Sequence, residues 1–193
     1  MTDFVHLHVH SEYSLLDGMS TPYEMAQAAS TNGQTSIAIT DHGSMAGVLK
    51  FQDACKGQSV KPIFGIEAYF TPRLEDDKLD EKTERYHLIL LAKNDDGLKK
   101  LFRLNKEAWS NGFYYKPRMD FGMLERIVGN DIIALSGCRG SAIAKAIEND
   151  DSARAERLTR KFVDIFGDDF YFEIQSWNPG KIKIGRASCR ERV

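Results

Sequence analysis

Cysteine is scarce in this chain. Cys55, Cys138 and Cys189 are the only three among 193 residues, too few and too scattered for a disulfide framework. No apolar run approaches the ~20 residues a helix needs to cross a bilayer. The opening Met1-Thr2-Asp3 lacks the basic stretch and apolar core of a secretory signal. Neither sign of charge dominates, with 26 basic residues against 28 acidic, so any nucleic-acid contact has to be local rather than driven by a global field. These absences predict a cytoplasmic protein with no membrane association. A hydrophobic fraction of 42% suffices for one substantial core and, most simply, one domain.

Histidine is also sparse, and its placement is informative. Three of the five histidines lie in one apolar run, Phe4-Val5-His6-Leu7-His8-Val9-His10. Side chains alternate along an extended strand, so His6, His8 and His10 are expected on one face. Imidazoles converging at a strand end suggest a metal site, with His6 supporting rather than ligating. His42 follows Asp41 directly after the apolar run 36–40, and His87 opens the run 87–91.

Apolar strands alternate with helical patterns. Strands are expected at 4–10, 36–40, 61–70, 86–92, 131–136 and 170–175. Thr21-Pro22-Tyr23-Glu24 has the form of a capping box with proline at the first helical position, so a helix follows to Asn32-Gly33. Further helices are expected near 45–56, 95–109, 120–128, 140–148 and 151–166, the last stopped by Gly167. Residues 74–84 read as an exposed acidic loop and 111–119 as a loop rich in glycine and aromatics. Such alternation, with nearly continuous apolar strands, predicts an α/β fold with a mainly parallel sheet or barrel covered by helices. Residues 180–193 carry five basic side chains and one acid with no closing helix. A basic arm is one reading; a truncation or read-through scar fused to a domain spanning 1–179 fits the break in pattern better.

Functional groups in parallel α/β folds gather where strands end and loops begin. His8, His10 and Asp17 follow the first strand, Asp41 and His42 the second, Glu67 lies late in the third, and Cys138 follows 131–136. His87 is the exception, near the start of its strand. Each has a plainer explanation. Asp41 before Gly43 could cap a helix, Cys138 could fill a core, and a lone His-x-His proves little. Glu67 resists one, because burying an unpaired carboxylate is costly. Together the plain explanations require several coincidences at one end of the sheet. Imidazole, carboxylate and one thiolate suit zinc, manganese or iron, and the number of donors exceeds one tetrahedral ion. Two or three ions about 3.5–4 Å apart would serve phosphoester hydrolysis. Lys116, Arg118 and Arg139 are the candidates for phosphate contacts, with the aromatics of the 112–118 loop able to stack bases; Trp109 and Tyr115 are expected to pack.

Residues 4–18 (Phe4-Val5-His6-Leu7-His8-Val9-His10-Ser11-Glu12-Tyr13-Ser14-Leu15-Leu16-Asp17-Gly18) resemble the opening of bacterial replicative DNA polymerase III α subunits. The resemblance continues through Ala38-Ile39-Thr40-Asp41-His42-Gly43, Gly65-Ile66-Glu67, His87-Leu88-Ile89-Leu90-Leu91-Ala92, the 112–118 loop and Leu135-Ser136-Gly137-Cys138. It covers residues 3 to 176, the polymerase-and-histidinol-phosphatase (PHP) domain of a bacterial or phage enzyme. The resemblance implies a distorted (β/α)7 TIM-like barrel with a trinuclear site ligated by His8, His10, Asp17, His42, Glu67, His87 and Cys138, and Asp41 beside His42 in a catalytic or supporting role. It further implies metal-dependent 3′–5′ exonuclease activity on a DNA primer end. The alternative is a non-catalytic domain that braces the polymerase and docks an exonuclease subunit. Exonuclease and sliding-clamp subunits are the implied replisome partners. The family's late Asp-x-His pair has no counterpart after Cys138, so the barrel is expected to be incomplete at its C-terminal side.

Overall fold

A computed structural model describes residues 4–72 and 85–175; the expected acidic loop 74–84 and the tail from residue 180 lie outside them. The elements run α1 (Pro22–Thr31), β1 (Ser36–Ile39), α2 (Val48–Gly57), β2 (Lys61–Phe70), β3 (Tyr86–Ala92) and α3 (Asp95–Asn111). They continue with β4 (Phe113–Tyr114), β5 (Lys116–Met119), α4 (Phe121–Ile127), β6 (Ile132–Leu135), α5 (Ala142–Glu148), α6 (Ser152–Phe166) and β7 (Phe170–Tyr171). Helix starts follow local chemistry. At α1 the Thr21 hydroxyl accepts from Glu24 N and the Glu24 carboxylate accepts from Thr21 N, satisfying two end donors at once. Asn94, Asp120, Ser141 and Asp151 cap α3, α4, α5 and α6 in the same manner, each accepting a backbone N–H three residues on.

The strands form one sheet in the order β4-β5-β2-β3-β6-β7, with β1 also paired to β2. Its directions are mixed. The β1–β2, β2–β5 and β6–β7 pairs are parallel, whereas β2–β3 and β3–β6 are antiparallel. The expected mainly parallel sheet is therefore corrected. Strand β3 is apolar and buried through Leu88–Leu91, as a parallel strand would be, but burial on both faces carries no information about direction. The expected loop at 111–119 contains the β4–β5 hairpin, which turns at Tyr115 with φ of 57°.

Residues 4–10 do not form the expected regular strand. The segment runs beside β1, with Ala38 N donating to His6 O and Thr40 N to Val9 O. Three residues are thus traversed against two on β1, the mismatch of a bulge, and Val9 N turns aside to the Thr40 hydroxyl. The extra residue breaks the alternation. His6 is left exposed against Phe4, while His8 and His10 come together.

Aromatic rings tie the helices to the sheet. Phe70, Phe121, Phe162 and Phe170 pack with centroid spacings of 4.8 Å (70–121), 5.0 Å (121–162) and 5.3 Å (162–170). Such edge and offset contacts add to what area burial supplies. The sheet is not closed among the described residues. A groove of about 900 Å³ opens between residues 4–8, the start of β2, the end of β3 and residues 171–175.

Candidate metal centre

Glu67 is the hub of the site. It lies in β2, is 1% exposed, and sits opposite Ile89 of β3. Four imidazoles surround its carboxylate: His42 Nδ1 at 2.8 Å, His87 Nδ1 at 2.9 Å, His10 Nε2 at 3.1 Å and His8 Nε2 at 3.4 Å. Only His6 among the five histidines is left out. His87 had looked misplaced near the start of its strand. Because β3 runs antiparallel to β2, its start lies at the carboxyl end of β2, where His87 faces Tyr69 in register. The direction of one strand thus accounts for the apparent exception.

Asp17 comes from the loop after His10. Ser14 N and Gly18 N both donate to this turn, to Ser11 O and Ser14 O, and a Cβ at Gly18 would lie 2.0 Å from Ser11 O. Only glycine allows that approach. The turn carries the Asp17 carboxylate to 2.9 Å from His42 Nε2 and 3.8 Å from His10 Nε2. Cys138 Sγ lies 3.4 Å from His87 Nδ1 and 3.8 Å from Glu67 Oε1, and accepts the Gly140 N–H.

Asp41 stands behind the cluster. It is 1% exposed, and its oxygens accept from Ser11 N, the Ser11 hydroxyl and the Ser14 hydroxyl at 2.7–2.8 Å. It holds the loop rather than joining the donor groups. A hydroxyl has one proton, and Ser14 gives it to Asp41. Its oxygen then accepts from His42 N and faces His10 Nδ1 at 3.2 Å, which makes Nδ1–H the donor and leaves the lone pair on His10 Nε2.

Three donor groups result: His8, His10 and Glu67; His10, Asp17 and His42; and His42, Glu67 and His87, each with ligand atoms within 4.8 Å of one another. Shared members make them one contiguous cluster. The arrangement fits divalent ions better than hydrogen bonding. His8 Nε2 and His10 Nε2 face each other at 3.2 Å. His42 Nδ1 and Glu67 Oε2 are buried, approach to 2.8 Å, and lack hydrogen-bond geometry. Ligand atoms this close, two of them buried with no proton shared between them, are placed to hold a cation.

Without metal, protons take that place. Burial opposes charge on His8, but hydrogen bonds to Glu173 and Glu67 prevail and raise its pKa to about 10. His87 is raised to about 10 by Cys138 and then Glu67, against desolvation. Burial pushes Glu67 up, yet the imidazoles of His10, His42, His8 and His87 around its carboxylate hold it far below the usual carboxylate range.

The phosphate candidates divide. Lys116 is exposed and stands over the Tyr69 ring at 5.4 Å, and that ring stacks on His42 at 5.7 Å, so the ammonium lies at the rim of the cluster. Arg139 is exposed beside Cys138 and pairs with Glu148. Arg118 is 1% exposed, with its guanidinium donating to Tyr114 O and lying over the Tyr114 ring. Such burial fits a brace for the hairpin, not a surface phosphate contact. Trp109 packs on Phe113 and donates to Gly43 O. Sequence reasoning missed Glu173, whose Oε1 meets His8 Nδ1 at 2.8 Å. The signal was available: a carboxylate in the apolar stretch 170–175, the same anomaly that marked Glu67.

A sheet whose strand ends gather four histidines, two acids and a cysteine defines a metal-site scaffold, and the PHP domain profile matches residues 6–177. The chain belongs to the PHP domain family. It is homologous to the PHP region of DNA polymerase III subunit alpha. The Aquifex aeolicus subunit is 43% identical over 183 residues, covering 91% of this chain and 16% of that protein. The Treponema pallidum subunit is 41% identical over 175 residues (89% and 15%), and the Deinococcus radiodurans subunit 39% over 183 residues (89% and 14%). The chain therefore spans about 15% of the length of the curated relatives it matches. A solved Chromobacterium violaceum amidohydrolase overlaps 53% of this chain and 34% of its own, with 21% identity and a TM-score of 0.38. No helix among the described residues is long and apolar enough to cross a membrane.

Proposed function

We propose that this domain is a multinuclear-metal phosphoesterase that removes nucleotides from a DNA 3′ end, the 3′–5′ exonuclease element of a replicative polymerase α subunit. One observation carries the reading: the Glu67-centred cluster, in which seven donor side chains from five chain segments meet within hydrogen-bond range of a neighbour. His8, His10, Asp17, His42, Glu67, His87 and Cys138 would hold two or three zinc, manganese or iron ions. Bound there, the ions would activate a water and neutralise phosphate oxygens. Around them, Lys116, held over the Tyr69 ring, would attract the phosphodiester, and Asp17, half exposed at the mouth, would accept a proton from the attacking water through Oδ1, the oxygen not turned to His42. His42, between Asp17 and Glu67, holds the orientation of both. Asp41 acts through Ser14 and His10, as a positioning residue.

The described sheet is read as the larger part of a distorted (β/α)7 barrel within residues 1–179. Cytoplasmic location, and contacts of the longer polypeptide with exonuclease and sliding-clamp subunits, follow from the same reading. The test is digestion of 5′-labelled single-stranded DNA by the metal-loaded chain beside His42→Ala. A ladder shortening from the 3′ end, abolished in the variant, is expected. Tight metal binding with no cleavage would overturn the exonuclease reading and favour a scaffold that braces the polymerase.

A further inference from the structure

Glu173 lies outside the donor set, just past β7, in a stretch with no regular pairing of its own. Three features fix it nonetheless. Its N–H donates to the Ser136 hydroxyl at 2.9 Å, and Ser136 N in turn donates to Tyr171 O. Its side chain is 12% exposed. Its Oε1 meets His8 Nδ1 at 2.8 Å, while its Oε2 is buried without a hydrogen-bond partner. The opposite nitrogen of the same ring points into the cluster, 3.2 Å from His10 Nε2 and 3.4 Å from Glu67 Oε1.

His8 needs such a partner more than the other histidines do. His42 and His87 lie on or beside paired strands, and Ser14 orients His10. His8 sits at the bend of the irregular segment 4–10, where no regular ladder sets the direction of its ring. An imidazole can present either nitrogen, and only the one without a proton can ligate. A carboxylate that takes the Nδ1–H settles this and raises the basicity of Nε2.

We infer that Glu173 is a positioning residue of the metal centre: it binds the His8 Nδ1–H, fixing the tautomer and ring direction that deliver Nε2 to the ion shared with His10 and Glu67. The inference rests on the metal-centre reading. It also gives residues 172–175 a role that the sheet alone does not: Glu173 meets His8, and Gln175 Nε2 donates to the same Glu173 Oε1 at 2.7 Å, helping to hold it.

The test is zinc affinity, by competition with a chromophoric chelator, for the native chain, Glu173→Ala, Glu173→Gln, His8→Ala and the Glu173→Ala/His8→Ala double variant. Glu173→Ala is expected to weaken binding by about 10–100-fold, the usual loss when an outer partner of a ligating histidine is removed. Glu173→Gln, whose amide oxygen can still accept, should lose less. The double variant should bind no more weakly than His8→Ala, because both changes act on one ligand. A second readout is the downfield His8 Nδ1–H proton resonance of the zinc-loaded chain, present in the native protein and in Glu173→Gln, absent from Glu173→Ala. Native affinity in Glu173→Ala, or an effect fully additive to His8→Ala, would overturn the inference while leaving the metal centre standing. Absence of zinc binding by the native chain would overturn both.

Discussion

Replacing Glu67 by glutamine removes one charge and almost no volume, so its effect isolates the electrostatics of the cluster. In the metal-free chain the carboxylate is 1% exposed and faces four imidazole nitrogens at 2.8–3.4 Å. Removing one partner of a buried ion pair costs about 3–5 kcal/mol, because the other charge is left uncompensated. For a chain of this size each kcal/mol lowers the melting temperature by ~2–4 °C. Glu67→Gln in chelator should therefore melt about 6–20 °C below the native chain.

The sign of the pH dependence follows from both partners. His8 and His87 rise from 6.5 to about 10, so their contribution is complete below 6.5 and is lost as pH climbs through 10. Glu67 is depressed from 4.5, so its contribution is present above 4.5 and lost as pH falls toward its folded value. The difference in melting temperature should peak between pH 4.5 and 6.5 and shrink steadily toward pH 10. Differential scanning fluorimetry in EDTA across that range reads it directly. Equal melting of the two proteins, or a gap that widens with alkaline pH, would refute the assignment of Glu67 as the charge that holds the imidazoles.

The same protons compete with metal, so zinc affinity should strengthen as pH rises from 6 to 9, by competition titration; a flat profile would count against protonated His8 and His87 in the apo chain. Asp41→Ala removes both acceptor oxygens of the Ser11 and Ser14 bonds and should cost about 2–3 kcal/mol in denaturant unfolding, together with weaker binding at the His10–Asp17–His42 group. Unchanged stability would show that the loop holds itself. Phe162→Ala, which empties the centre of the Phe70–Phe121–Phe170 ring cluster, should destabilise by about 3–5 kcal/mol with zinc affinity preserved, since none of the rings it packs against belongs to a donor residue. A parallel loss of zinc affinity would contradict that separation.

Much of the site is legible in the sequence because its residue types are rare and sit at strand ends. Asp17, His42, Glu67 and Cys138 follow or end apolar runs, and a buried acid in such a run already demanded a partner. Three things were hidden. Strand direction leaves no trace in a run buried on both faces, so β3 passed for a parallel strand and His87 seemed misplaced. The extra residue in 4–10 depends on pairing with β1, which no local pattern reports; it separated His6 from His8 and His10. Arg118 and Lys116 look alike in a basic aromatic loop and share a face by strand alternation, yet Arg118 pairs beside Tyr69 of β2 and is buried, whereas Lys116 pairs only within the β4–β5 hairpin and is exposed. Glu173 was readable by the rule that found Glu67, but its role needed the distance to His8.

The central claim is that the cluster around Glu67 holds divalent metal, and elemental analysis of the purified chain beside a His8→Ala, His10→Ala double variant tests it most directly. Two or more equivalents of zinc, manganese or iron in the native chain, lost in the variant, are predicted. A native chain that retains no such metal after reconstitution, or a variant that retains as much, would contradict the claim.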